Sequence, residues 1–117
     1  VTGFMPDRPY IWPAGVRSAC CISVDVDAEA PYLWRNRERM PPFLGELEQR
    51  RFGPRVGLGR LLDLLDSMEV RGSFFLPAAV AEAHTDIAPA IVTRGHELAL
   101  HGYFHEAPTE TGAAAFE

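Results

Sequence analysis

Residues 58–100 run LGRLLDLLDSMEVRGSFFLPAAVAEAHTDIAPAIVTRGHELAL, and their patterning decides the fold. Leu58, Leu61, Leu62, Leu65 and Met68 recur at helical spacing, with Arg60, Asp63 and Asp66 opposite, which predicts an amphipathic helix. Gly72-Ser73-Phe74-Phe75-Leu76 follows as a strand stopped at Pro77, and a short helix is expected over Ala78–Ala83. Asp86 is placed to cap a further helix, with Pro89 in its first turn, Ile87, Ala90 and Ile91 on its inner face, and Gly95 as terminator. Glu97-Leu98-Ala99-Leu100 is then a strand leading into His101-Gly102-Tyr103-Phe104-His105.

Upstream, Ala19-Cys20-Cys21-Ile22-Ser23-Val24 is a nearly continuous apolar run of small and β-branched residues. Such a run suits a parallel strand buried on both faces. It stops abruptly at Asp25-Val26-Asp27, and residues 28–55, rich in proline, aromatics and arginine, are expected to form a long loop. Downstream of Pro108, the Thr- and Ala-rich tail predicts the start of another helix. Alternation of strands and helices implies parallel strands joined by right-handed helical crossovers. A closed eight-unit barrel takes about 250 residues. The fold class expected for these 117 residues is therefore α/β, the first part of a distorted, TIM-barrel-like (β/α) barrel.

Composition narrows the chemistry. Acids outnumber bases 16 to 11, for a net charge of −5, so nucleic acid and anionic membrane are not expected partners. Every base is arginine, which removes Schiff-base chemistry and a lysine-containing phosphate loop. No stretch approaches the roughly 18 apolar residues of a membrane span. The first fifteen positions carry Asp7, Arg8 and prolines in place of a signal-peptide pattern. Cys20 and Cys21 are neighbours, and neighbours on a strand point to opposite faces, so buried free thiols are expected and with them a cytoplasmic location.

Asp25 and Asp27 stand two apart at a strand end, so in extended backbone both project to one side, roughly 6.5–7 Å apart at Cα. Parallel α/β folds build their sites at such C-terminal strand ends. His101 and His105 also follow a strand; they could share a helix face or sit in a tight loop. Either pair alone could be coincidence, the carboxylates as solvated loop acids and the histidines as surface or core residues. Their conjunction at the ends of parallel strands points to one shared site. Two imidazoles and a carboxylate suit a divalent ion, Zn²⁺ by default, with Co²⁺, Ni²⁺ or Mn²⁺ as alternatives. His84 reads as a surface helix-end residue and His96 as packing or a supporting group. Glu29, Glu97 and Glu106 are possible supporting carboxylates that nothing positions. Arg35, Arg37, Arg39, Arg50, Arg51 and Arg55, interleaved with Glu38, Glu46 and Glu48, read as a solvated, salt-bridged face.

Three motifs then carry a resemblance: Ser23-Val24-Asp25-Val26-Asp27-Ala28-Glu29, Gly72-Ser73-Phe74-Phe75-Leu76-Pro77, and Gly95-His96-Glu97 through His101-Gly102-Tyr103-Phe104-His105-Glu106. Over residues 19–106 the chain resembles the NodB-like polysaccharide deacetylase family of carbohydrate esterases. Its spelling is similar to the branch holding peptidoglycan-deacetylase-like and allantoinase-like proteins. The resemblance implies a partial deacetylase domain over residues 1–117. It implies Asp27, His101 and His105 as metal ligands, Asp25 as catalytic base, and hydrolysis of a non-peptide amide, typically an N-acetyl group of an amino sugar. Trp34, Tyr103 and Phe104 are candidates to stack on a sugar ring. The family's base-orienting arginine and late general-acid histidine would lie beyond Glu117.

The substrate expected is an N-acetylated glycan, such as peptidoglycan or chitooligosaccharide, or a small amide. The chain is expected to pair with a missing C-terminal half or to form a homo-oligomer. Two alternatives stand beside the deacetylase: a metal-binding, self-associating fragment without turnover, and a cofactor-independent ureide hydrolase of the allantoinase type.

Overall fold

The computed structural model describes residues 11–39 and 43–107. Strand β1 (Ser23–Asp25) leads to helix α1 (Ala30–Arg35), and helix α2 (Leu44–Phe52) runs through a π-helical turn (Gly53–Gly57) into helix α3 (Leu58–Ser67). Strand β2 (Ser73–Leu76), helices α4 (Ala78–Ala83) and α5 (Ile87–Thr93) and strand β3 (Glu97–Leu100) complete the order. The N-terminal stretch before Ile11 and the helix expected after Pro108 lie outside the described residues.

All three strands are parallel, in the order β1-β2-β3, with Ser23, Ser73 and Glu97 in one row and Asp25, Phe75 and Ala99 in another. Alternation along a strand sends Val24, Phe74, Leu76, Leu98 and Leu100 to one face, which meets the helices at Val24, Phe74 and Leu76 and leaves Leu98 and Leu100 exposed. Val26, Leu58, Leu62, Leu65, Phe74, Leu76, Val80, Ile87 and Ile91 are buried there as one cluster. On α3 the buried Leu58, Leu62 and Leu65 follow helical spacing, while Arg60, Asp63 and Asp66 face outward.

Met68, expected on the apolar stripe, is exposed because α3 has ended one residue earlier. Glu69, at φ +55°, turns the chain left-handed, the Glu69 N–H donates to Asp66 O and the Val70 N–H donates to Leu65 O. This is a Schellman arrangement with glutamate where glycine is usual. Gly95, at φ +78°, ends α5 in the expected way. Asp86 occupies the N-cap position of α5 but makes no side-chain cap bond; its φ of −84° and ψ of −20° are already helical, whereas a capping residue is extended.

Two further expectations about the fold need correction. The long loop over residues 28–55 is largely helical: α1 and α2 fill it, and from Leu44 to Ser67 the chain never leaves helical conformation. Charge pairs hold α2, with Arg50 bonded to Glu46 (2.6 Å) and Arg51 and Arg55 both on Glu48 (3.1 and 2.6 Å). Pro54 lacks an N–H and would crowd an α-helical turn; the wider π turn, closed by Leu58 N–H to Gly53 O, accommodates it.

The thiols are the second correction: Cys20 and Cys21 are free and exposed, not buried. Pairing starts only at Ile22, whose carbonyl accepts from Ser73 N–H (2.9 Å), and β1 is a sheet edge with nothing described across from its approach segment. Likewise the sheet face bearing Ser23 and Asp25 is uncovered among the described residues, so β1 is half-buried where burial on both faces was expected. No helix among the described residues is long and apolar enough to cross a membrane.

Candidate active site

Every candidate catalytic side chain sits where a strand runs out. Asp25 is the last residue of β1, and the following Val26 N–H is still held by Phe75 O (2.8 Å). His101 directly follows β3, its N–H held by Leu76 O (3.1 Å). The pleat therefore fixes Asp25 and His101 on the same sheet face, with Phe75 between them packing edge-on to the His101 ring at 6.2 Å.

Beyond the strands, two turns aim Asp27 and His105. Ala28 adopts φ +47°, and the next turn closes through Ala30 N–H to Asp27 O (3.1 Å). The segment after His101 is a tight loop, which decides between the two placements left open by its spacing. Gly102 sits at φ +71°, where an added Cβ would lie 3.4 Å from the Glu106 carboxylate. That carboxylate accepts from Phe104 N–H (2.6 Å) and Tyr103 N–H (3.3 Å), which cinches the loop. Backbone N–H groups, its own first, hold the Glu106 carboxyl below the usual range. His105 itself takes φ +62°.

The result is a convergence of donors. Asp27 Oδ1 lies 3.6 Å from His101 Nε2, Asp27 Oδ2 lies 3.7 Å from His105 Nε2, and the two imidazoles meet nearly perpendicular with centroids 4.6 Å apart. One ligand atom from each of the three residues falls within 4.8 Å of the others. These separations are too long for hydrogen bonds. They are close to the roughly 3.3 Å between neighbouring ligands of a tetrahedral ion with bonds of about 2.0–2.1 Å. Asp27 Oδ1 and His101 Nε2 are both buried without a hydrogen-bond partner. Buried polar atoms are nearly always satisfied, so two orphans facing each other in an N₂O donor set fit a divalent cation. Asp25 stands at the edge, Oδ2 3.9 Å from His101 Nε2, and its side chain is 58% exposed. It is more open to water than Asp27, whose side chain is 34% exposed and whose Oδ1 is buried.

Trp34, Tyr103 and Phe104 come together beside this cluster. Trp34 stacks on Phe104 (5.9 Å, 14°), Phe104 meets Tyr103 edge-on (4.7 Å, 73°), and Arg37 lies 4.1 Å over the Trp34 ring. The Tyr103 hydroxyl donates to Glu82 (2.7 Å), and that bond raises the phenol's pKa. A cavity of about 380 Å³ opens against Leu33, Ala79, Ala83, Glu82, Tyr103 and Phe104.

Spacing gave no sign of one group of residues. His84 is not a surface residue: it is half-buried, and its Nε2–H reaches both oxygens of the buried Glu29 (3.1 and 3.2 Å). Arg51 Nε–H donates to the same carboxylate at 3.2 Å. Burial raises the Glu29 pKa, but the bonds from His84, from its own backbone N–H and from Arg51 together outweigh it and the net shift is downward. The His84–Glu29 pair spans 55 residues, so no local pattern could announce it. His96 packs against Phe74 (5.2 Å) and accepts Gly72 N–H at Nδ1 (3.2 Å), as a packing residue should.

Comparison with known proteins converges on one family. A family model described as polysaccharide deacetylase matches residues 52–116, more than half of the chain and including both histidines of the cluster. The chain belongs to the polysaccharide deacetylase family. It is 35% identical over 91 residues to a peptidoglycan deacetylase-like protein of Gibberella zeae, covering 76% of this chain and 27% of that protein. It is 33% identical over 85 residues to a peptidoglycan deacetylase of Helicobacter pylori, covering 73% of this chain and 28% of that one. The chain thus spans a little over a quarter of the length of these curated relatives. A crystal structure from Mycobacterium smegmatis, described as a polysaccharide deacetylase, superposes with a TM-score of 0.80 at 38% identity, over 92% of this chain and 37% of the other. The fold is that of the family, a parallel sheet with crossover helices consistent with a partial barrel.

Proposed function

We propose that this deacetylase-family chain supplies the metal ligands and the catalytic base of a hydrolase that removes N-acetyl groups from an amino-sugar polysaccharide. The observation that carries this is the convergence of Asp27, His101 and His105, with two of their polar atoms buried and unpaired. The names of the relatives from Gibberella zeae and Helicobacter pylori support peptidoglycan as the substrate class.

Asp27, His101 and His105 would hold a divalent ion, Zn²⁺ by donor type, whose contribution is to polarise the amide carbonyl and lower the pKa of water. Asp25, exposed at the rim of the cluster, takes the proton from the attacking water. Its place at the end of β1 keeps the carboxylate on the solvent side of His101, where a water and an acyl carbon can both approach. Phe75 packs edge-on against the imidazole of His101 from within the sheet. Trp34, Tyr103 and Phe104 offer aromatic surface for a sugar ring. The exposed free thiols of Cys20 and Cys21 suit a reducing compartment, so cytoplasmic residence belongs to the same proposal.

The test is acetate release from an N-acetylated chitooligosaccharide and from peptidoglycan by the protein carrying this segment, before and after chelation. Release that disappears on chelation and returns with Zn²⁺ is expected. Unchanged release after exhaustive chelation, or turnover of a ureide ring in place of the glycan, would overturn the metal-dependent mechanism.

A further inference from the structure

Glu29 lies two residues past Asp27, and its side chain does none of the things its position would normally ask. It is the N-cap residue of α1, yet it makes no capping bond to its own helix. Its carboxylate turns inward and is 6% exposed as a residue, gripped by His84 from the end of α4 and by Arg51 from α2. An ionised carboxylate only accepts, so His84 Nε2 carries the proton of that bond.

The far end of α4 completes the pattern. Ala78 N–H donates to Gly102 O and Ala79 N–H donates to Tyr103 O, each at 3.0 Å. Helix α4 thus grips the loop between His101 and His105 with its first turn and Glu29 with its C-cap residue, His84. At about 1.5 Å per residue this short helix is a strut of about 8–9 Å between the two sources of ligands. One source needs a restraint, because Ala28 between Asp27 and Glu29 is held in left-handed backbone that a residue with a Cβ rarely adopts.

We infer that Glu29 is a positioning residue, clamped by His84 and Arg51, that fixes the Asp27 turn relative to the His101–His105 loop through helix α4. It touches neither the reacting atoms nor an ion. This inference rests on the metal-centre proposal above and adds to it the device that sets the spacing of the donors before any ion arrives.

The experiment is a Zn²⁺ titration by calorimetry of the metal-stripped chain beside Glu29→Gln, with the thermal midpoint of each metal-free protein recorded. Glu29→Gln keeps the shape and loses the charge that Arg51 and His84 hold. The expected result is one ion per chain in both, with affinity roughly tenfold weaker in the variant, the scale on which supporting groups act at metal sites. Ile91→Val, a core change on α5, an element that carries none of these groups, is the control; it should lower the midpoint and leave the affinity of the folded chain unchanged. If Glu29→Gln does not fold, His84→Gln, which leaves the Arg51 bond in place, takes its position in the comparison.

Equal affinity in the variant and the unsubstituted chain would overturn the positioning role while leaving the metal centre standing. A weakening matched by Ile91→Val would also overturn it, as a general loss of stability. Failure of the folded, unsubstituted chain to bind any Zn²⁺ would remove the metal centre itself, and the positioning role with it.

Discussion

The two ends of strand β3 each carry histidine near aspartate, and they are finished very differently. Before the strand, His96 packs on Phe74, accepts the Gly72 N–H, and lies 3.9 Å from Asp66, whose charge is met by Arg94 at 2.8 Å. Arg94 also holds Asp63 (2.7 Å), and these bonds raise its pKa. After the strand, His101 and His105 face Asp27 and Asp25, and among the described residues no arginine pairs with either carboxylate. The first cluster is a joint between α3, β2 and α5 in which Arg94 meets both acids, although His96 Nε2 is itself buried without a hydrogen-bond partner. In the second, one carboxylate and two imidazoles converge with no arginine among them, and that gathering of three donor groups is what distinguishes it.

The sharpest way to break this comparison is to remove one aspartate from each end. Asp27→Asn should reduce zinc retained after dialysis by at least about a hundredfold in affinity, because a first-rank ligand is lost. Asp66→Asn should leave zinc content at one per chain and lower stability by at most about 1 kcal/mol, the worth of an exposed ion pair. Equal zinc loss in both would erase the distinction between the ends.

A smaller effect is expected from His96→Ala. It strands the buried Gly72 N–H and should cost about 1–3 kcal/mol in urea unfolding, without changing zinc stoichiometry. A zinc-deficient but stable variant would show that His96 serves the site after all.

Smallest are the effects at two of the left-handed residues, Glu69 and Ala28. Glu69→Gly should stabilise the chain by about 1 kcal/mol and leave zinc affinity alone, since it relieves a Schellman turn far from the ligands in sequence. Ala28→Gly relieves the same kind of strain but loosens the turn that aims Asp27, so zinc affinity should fall even as strain is removed. Thermal midpoints and zinc titrations on the pair read both quantities.

The succession of parallel strands and helices, and the gathering of Asp25, Asp27, His101 and His105, were legible because their signals are local: apolar runs that stop at Asp25 and His101, with Asp27 and His105 a few residues on. What escaped was whatever depended on distant partners or on charge. Helix α2 buries only Leu47, leaves Leu44 and Phe52 exposed and is held by Arg–Glu pairs, so its sequence resembled a loop. Pro54 argued for a break and met a π turn in its place. Cys20 and Cys21 were apolar enough to predict burial, but burial depends on a neighbour across the sheet edge, which local pattern does not report. His84 looked superficial until its partner, 55 residues back, was known.

The central claim is that Asp27, His101 and His105 form a metal centre. Zinc titration calorimetry on the metal-stripped, folded 117-residue chain tests it most directly. The expected result is a single site with one ion per chain, abolished by His101→Ala. A folded chain that takes up no zinc, or one in which His101→Ala binds as well as the unsubstituted protein, would contradict it.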